Sequence, residues 1–251
     1  MKNDDYIGCF AGQEIRLSLK HPDTFLYFSD YLRPAPSGPG TERAVRIPEE
    51  AVLEWAREFG VPDDGRREFE LAVYSVSDAL LAYDACAVHA GAILYGGRAW
   101  LFAAESGTGK STQLKNWMSL YPGGSLVMNG DKPLLRAVEG SPVSVYPSPW
   151  KGKERWGDDR VTAPLGGVVL LRQGAENRIR RADGFHAAAR LFSCFFSRFE
   201  DRNSVHKLCV IEGRILGSVP VWEMENTGDR GSTKLIHDEI AREMCHGAAE
   251  G

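Results

Sequence analysis

The sequence predicts an α/β protein whose mixed β-sheet carries a phosphate-binding loop, with a small N-terminal β-rich portion (1–70) packed on a larger core (71–251). Three observations predict it. The stretch AAESGTGKST (103–112) is a Gly-rich turn between an apolar run and a helical pattern. Buried, strand-like runs then alternate with amphipathic helical segments down the rest of the chain. Finally, the strands are too many for a purely parallel, doubly wound sheet, so the sheet must be mixed.

The elements follow in order. Residues 6–32 alternate polar and apolar positions, in YIGCFAGQEIRLSL and again in TFLYFSDYL, which predicts short half-exposed strands. RPAPSGPGTER (33–43) is a Pro/Gly/Ser-rich loop. IPEEAVLEWAREFG (47–60) has an early proline, two early acids and a closing Gly60, which predicts a helix. The stretch beginning REFELAVYSV reads as a strand, then a short helix, then a strand near 87–95 closed by Gly96-Gly97. RAWLFAA (98–104) is a strand, STQLKNWMSLY (111–121) a helix, and SLVMNGD (125–131) a buried strand ending in an acid. KPLLRAVEGSPVSVYPSPW predicts a hairpin turned at Glu139-Gly140, and 151–164 a charged loop. LGGVVLLRQ is a buried strand, GFHAAARLFSCFFSRF and SVHKLCVIEGRILGS are amphipathic helices, VPVWEME is a strand and STKLIHDEIAREMC a closing helix.

Bulk properties narrow the function. A chain of 251 residues, 43% hydrophobic and 25% charged, buries a real core and is not disordered. A net charge of -4 leaves no basic footprint for nucleic acid. The five cysteines are scattered without a CxxC pair, as expected of buried thiols in a reducing compartment. MKNDDYIGCF has no apolar core of a signal peptide, and no apolar stretch reaches about 18 residues. The expectation is a cytoplasmic protein with neither a membrane nor a nucleic-acid partner; an oligomer is compatible with the sequence.

The loop holds the clearest chemistry. A phosphate cradle needs inward-pointing backbone N–H groups, a helix N-terminus, a lysine for charge and a hydroxyl for magnesium. Ser106, Gly107, Thr108, Gly109, Lys110, Ser111 and Thr112 supply that set: Lys110 for the β/γ phosphates, Ser111 for Mg²⁺. The strict pattern asks for glycine where Ala104 stands, a substitution costly only if that position needs φ > 0. Asp131 ends the next buried strand, where a metal-binding carboxylate belongs. His89 precedes Lys110 by twenty-one positions, either as a packed core histidine or as a catalytic one. PWKGKERWGDDR (149–160) sets Lys151, Lys153, Arg155 and Arg160 among two tryptophans. It reads as a loop closing over the γ-phosphate, with Lys151 and Lys153 holding equal claims, or as a solvated loop with Trp150 tucked onto the core. Lys132, Arg136 and NRIRR (177–181) are further possible contacts.

HAGAILYGGRAWLFAAESGTGKS and VMNGDKPLLR together resemble the HPr kinase/phosphorylase and phosphoenolpyruvate carboxykinase superfamily over residues 87–136. More loosely, PSPWKGKERWGDD and LGGVVLLRQGAENRIRR are similar to bacterial HPr-kinase-related proteins. The resemblance implies a P-loop kinase core, ATP and Mg²⁺ as cofactors, and transfer of phosphate to a hydroxyl of a peptide, protein or small molecule. It implies Lys110 and Ser111 at the nucleotide and metal positions, Asp131 as metal carboxylate, and His89 as active-site histidine. HPr kinases carry two adjacent acids at this strand end, the first a general base; here the pair is Gly130-Asp131. Asp131 alone, Asp158 or Asp159, or His89 is left to take that role. Carboxykinase chemistry is not expected in so short a chain, and the reverse phosphorylase reaction lacks its acid pair. Two rivals to a kinase stand beside it: a nucleotide-binding regulatory module, and an NTP hydrolase.

Overall fold

The structure is a computed structural model and describes residues 4–28, 31–36, 38, 40, 42–104 and 107–249. It is α/β with two sheets. The smaller is built from β1 (Asp4–Phe10), β2 (Gln13–Leu19), β3 (Leu32–Pro34) and β4 (Arg43–Arg46), in the order β3-β1-β2-β4. Ile15, Leu17 and Leu19 alternate inward along β2, as the period-two pattern predicts.

Helices pack over this sheet. TFLYF is not a strand: Thr24–Phe28 forms the short helix α1. The reason lies outside its own sequence. The buried Glu68 carboxylate accepts from Lys20 N at 2.7 Å, His21 N at 3.0 Å and Thr24 Oγ at 2.5 Å, and so fixes the start of the turn. α2 (Glu49–Phe59) ends at Gly60 with φ 62°, as expected of a left-handed C-terminal glycine. The stretch read as a strand from Arg67 is instead α3 (Gly65–Leu80). Asp64 caps it by accepting from Arg67 N, and Ala72, Val73, Val76, Ala79 and Leu80 form its buried stripe.

The larger sheet has ten strands. β5 (Ala85–Val88), β6 (Ala90–Tyr95) and β7 (Arg98–Ala103) lead into α4 (Lys110–Leu120) and β8 (Ser125–Asn129). β9 (Leu134–Arg136) and β10 (Ser144–Tyr146) form the expected hairpin, with Gly140 at φ 74°. β11 (Ala163–Gln173), β12 (Arg178–Arg181), α5 (Gly184–Phe192), β13 (Phe195–Phe196), α6 (Arg202–Ser218), β14 (Val221–Asn226) and α7 (Arg230–Ala249) complete the chain. The helix expected through residue 199 therefore stops at Phe192. Phe195 and Phe196 pair instead with Val88 and Ala87 on β5, because that strand would otherwise leave its outer edge unbonded.

The strand order is β13-β5-β9-β10-β11-β7-β6-β8, with β14 joined to β11 and β12 to β14. β11 runs parallel to β7 and β14 and antiparallel to β10, so the sheet is mixed. Its first residues hold one half of the sheet and its remainder the other. α5 and α6 cover one face with an aliphatic core; Trp100, Trp117 and Trp222 anchor another with α4 and α7. A third core is shared: Phe10, Ile15 and Phe28 of the small sheet and its helix pack with α3, Leu134 and Trp150. Cys86 and Cys194 are buried, but Cys9, Cys209 and Cys245 are exposed, contrary to the reading of all five as buried thiols. Among the described residues no helix is long and apolar enough to cross a membrane.

Candidate functional site

β7 delivers the loop. It lies between β6 and β11, so its C-terminal end opens at the middle of the sheet and feeds α4 directly. The turn passes through Gly107 at φ 83° and Gly109 at φ 103°, conformations that residues with a Cβ rarely hold. Ala104, where the strict pattern has glycine, is buried and is not among the positive-φ residues, so the alanine is unstrained. Its carbonyl accepts from Lys110 Nζ at 2.9 Å. Lys110 itself is only 8% exposed, and burial depresses its ammonium pKa, while the nearby Asp131 charge works the other way. A desolvated lysine beside a helix N-terminus is poised for an anion.

His89 does not lie within a strand. It occupies the single residue between β5 and β6, where the chain crosses from one half of the sheet to the other. Its N–H donates to Cys194 O at 2.7 Å, and its ring meets Phe196 edge-on at 5.9 Å between centroids. Its Nε2 lies 3.3 Å from Asp131 Oδ1, so the histidine faces the loop side of the sheet rather than the core.

Asp131 sits in the turn between β8 and β9. Asn129 organises that turn: its Oδ1 accepts from Asp131 N at 2.9 Å and Lys132 N at 2.8 Å, and its Nδ2 donates to Ser148 O and Oγ at 3.1 Å each. Asp131 Oδ2 accepts from Lys132 Nζ at 2.5 Å. Burial works against its charge, but the His89 hydrogen bond and the Lys132 ammonium outweigh it and hold the carboxyl at about 2. Asp131 is thus a committed anion, suited to a hard cation and poor at taking up a proton.

The basic loop runs over this turn. Trp150 roots it: the indole is 3% exposed, stacks near Phe10 and Phe69, and donates to Phe69 O at 2.8 Å. Gly130 N donates to Trp156 O at 2.9 Å, and a Cβ on Gly130 would stand 2.8 Å from Lys151 O and 3.3 Å from Trp156 O. The space that a side chain at residue 130 would take is therefore occupied by backbone of the crossing loop. The close approach recurs at Gly157, whose Cβ would lie 2.7 Å from Met128 O.

One cavity of about 970 Å³ gathers these pieces. His89, Asp131, Lys151 and Lys153 line it, as do Gly107, Gly109, Lys110, Ser111 and Thr112 of the loop. Thr108 is not among its lining residues, and Ser106 lies outside the described residues. Of the two basic-loop lysines, Lys151 is bound to Asp159, whereas Lys153 is exposed and forms no ion pair among the described residues. Lys132 joins the site through Asp131, with its ammonium 5.5 Å above the Phe196 ring. Arg136 and the 177–181 run do not line the cavity; Arg180 is paired with Glu223 at 2.5 Å and Arg181 with Glu243 at 2.7 Å.

Aromatic residues from distant parts of the chain, which no local motif marks, also line the cavity. Tyr27, Phe28 and Tyr31 from the small N-terminal portion face the cavity together with Phe69 of α3. Asn129 and Ser148 were also missed, although Asn before Gly at a strand end is a turn signal in its own right. Among the described residues no group of three or more His, Cys, Asp or Glu side chains forms a metal cage. A divalent ion held by Ser111 and Asp131 would take its other ligands from substrate phosphate and water, the usual arrangement for Mg²⁺. No protein-family model matches the chain, and no curated protein matches it.

Proposed function

We propose that the protein is an ATP-dependent kinase, with a P-loop core of the HPr kinase type, that transfers the γ-phosphate to a serine-type hydroxyl on a peptide, protein or small molecule. One observation carries the reading: a helix-N-terminal glycine loop with a desolvated lysine shares a single cavity with an ionised aspartate, a histidine and three further lysines.

The lining residues fit a magnesium nucleotide. Gly107 and Gly109 leave backbone N–H groups free of side-chain cover, Lys110 supplies charge, and Ser111 and Asp131 are hard oxygen ligands. Bound ATP–Mg²⁺ supplies the transferable phosphoryl group and neutralises part of its charge. Lys110 shields the phosphate oxygens, and its departure from Ala104 O toward phosphate exchanges a neutral acceptor for an anionic one. His89, oriented through Nε2 by Asp131, lines the same cavity, where its ring can help position the acceptor. Lys151 and Lys153 come from the loop that crosses the turn and add positive charge to the cavity. Transfer through a loose transition state relies chiefly on such positioning and charge.

The test is incubation with γ-labelled ATP and Mg²⁺, with free L-serine and with a serine-containing peptide library as acceptors. Phosphoserine in either pool is the expected result. Release of inorganic phosphate alone, at the same rate with and without acceptors, would mark a hydrolase, and binding without turnover a regulatory module.

A further inference from the structure

We propose that Asp159 is the proton acceptor of the transfer reaction, carried on the loop whose backbone leaves no room for a side chain at Gly130, and pinned by Tyr31 and Lys151. The proposal deepens the kinase reading and rests on it.

Elimination begins at Gly130. A side chain there would strike Lys151 O at 2.8 Å, a backbone atom that cannot swing away, so no acid can sit at that position while the loop is docked. Asp131 is committed to His89 and Lys132 and assigned to the metal. Asp158 points elsewhere: it accepts from Arg160 N at 2.9 Å and does not line the cavity. Glu70 lines the cavity but is bound by Arg66 at 3.2 Å and Arg67 at 2.5 Å. Glu154 lines it too, on an exposed turn with no partner among the described residues to hold it.

Asp159 has both access and fixation. It lines the same cavity as Lys110 and Asp131. Tyr31 OH donates to its Oδ1 at 2.5 Å, and Lys151 Nζ donates to Oδ2. Two of its roughly four lone-pair sites are thus used, and the side chain remains 44% exposed. Burial and the neighbouring Asp159 carboxylate keep the Tyr31 phenol protonated, so it stays a donor. Tyr31 in turn stacks on Phe10 at 6.1 Å between centroids, which ties the acid to the N-terminal core.

The step balances simply. The acceptor oxygen forms its bond to the γ-phosphorus while the bond from that phosphorus to the bridging oxygen breaks, leaving its electron pair on ADP. The acceptor O–H bond breaks as its proton passes to an Asp159 carboxylate oxygen, and thence to water on the exposed side. No oxidant or further reactant is needed.

The experiment compares wild type with Asp159→Asn, Tyr31→Phe and Glu154→Gln, using γ-labelled ATP, Mg²⁺ and the serine probes above. Asp159→Asn should lower kcat by about 10²-fold or more while nucleotide affinity, followed with a fluorescent ATP analogue, is unchanged. Tyr31→Phe should give a smaller fall in kcat, and Glu154→Gln none. If the Asn variant does not fold, Asp159→Glu replaces it: the charge and the Lys151 pairing remain, but the carboxylate is displaced by one methylene. Transfer by Asp159→Asn or Asp159→Glu within about twofold of wild type overturns the assignment and leaves the kinase reading standing. A loss equal in Glu154→Gln and Asp159→Asn overturns it as well, by showing that any loop charge suffices. No transfer by wild type to either probe ends the kinase reading and this assignment together.

Discussion

Gly130 offers the sharpest test of the site's architecture, because any side chain placed there should damage the protein. Gly130→Ala adds a Cβ 2.8 Å from Lys151 O and 3.3 Å from Trp156 O, both backbone atoms. Relief requires the loop to lift by several tenths of an ångström, and overpacking of this kind costs about 1–3 kcal/mol. Lifting also stretches the 2.9 Å Gly130 N to Trp156 O hydrogen bond, worth about 1 kcal/mol. For a chain of this size each kcal/mol shifts Tm by about 2–4 °C, so the alanine variant should melt roughly 4–16 °C below wild type. Gly130→Asp should be worse, since it also sets a second negative charge beside Asp131. The assays are thermal denaturation and limited proteolysis, in which cleavage within residues 151–160 should accelerate before the rest of the chain is attacked. A Gly130→Ala protein with wild-type Tm and an uncut loop would refute the reasoning, and with it the claim that the loop excludes an acid at this position.

Three further outcomes are expected. Lys110→Ala should abolish nucleotide turnover without lowering Tm, because the buried ammonium is a desolvated charge that the fold does not need; unchanged ATP turnover would remove the loop assignment. His89→Ala should depress kcat far more than ATP affinity, measured on one preparation, since the ring touches Asp131 and faces the cavity; intact transfer would return it to a packing role. Glu212 on α6 is buried with Oε1 unpartnered among the described residues, and desolvation pushes its carboxyl up to about 7 from 4.5 despite the Phe192 N–H. The folded chain then binds more protons than the unfolded one between those values, so stability falls as pH rises through that window. Glu212→Gln should gain on wild type by ~3 kcal/mol between pH 4 and pH 8 in denaturant titrations, and a pH-independent difference would contradict the assignment.

The central stretch was legible because its signals are covalent and local. Glycines at 107, 109 and 140 mark turns that few other residues can make, and the strands between them are centred on buried Val127, Met128, Leu134 and Leu135. The errors share a different cause. FELAVYSV alternates well enough to read as a strand, yet Ala72, Val73, Val76 and Leu80 share one helical stripe, and Asp64 caps its start. TFLYF turns helical because Glu68, more than forty residues away, claims the groups at its start. Residues 195–196 leave the helix to satisfy β5. In each case a distant partner decided the outcome. The site divides likewise: loop, histidine and acid were visible as residue types, whereas Tyr31, Asn129 and the reason for Gly130 exist only through contacts made across the fold.

Trp150 has a thermodynamic consequence. Its indole belongs to the core beneath the small N-terminal sheet, while its backbone begins the loop that bears Lys151, Lys153 and Asp159. Proteins open in cooperative units of unequal stability, and a four-stranded sheet with three- and four-residue outer strands belongs to the weaker kind. When that unit melts, Trp150 loses its aromatic packing against Phe10 and Phe28, and the loop loses its root. Heating should therefore open the protein in two stages, with Trp150 exposed and residues 151–160 released while β7 and β11 are still folded.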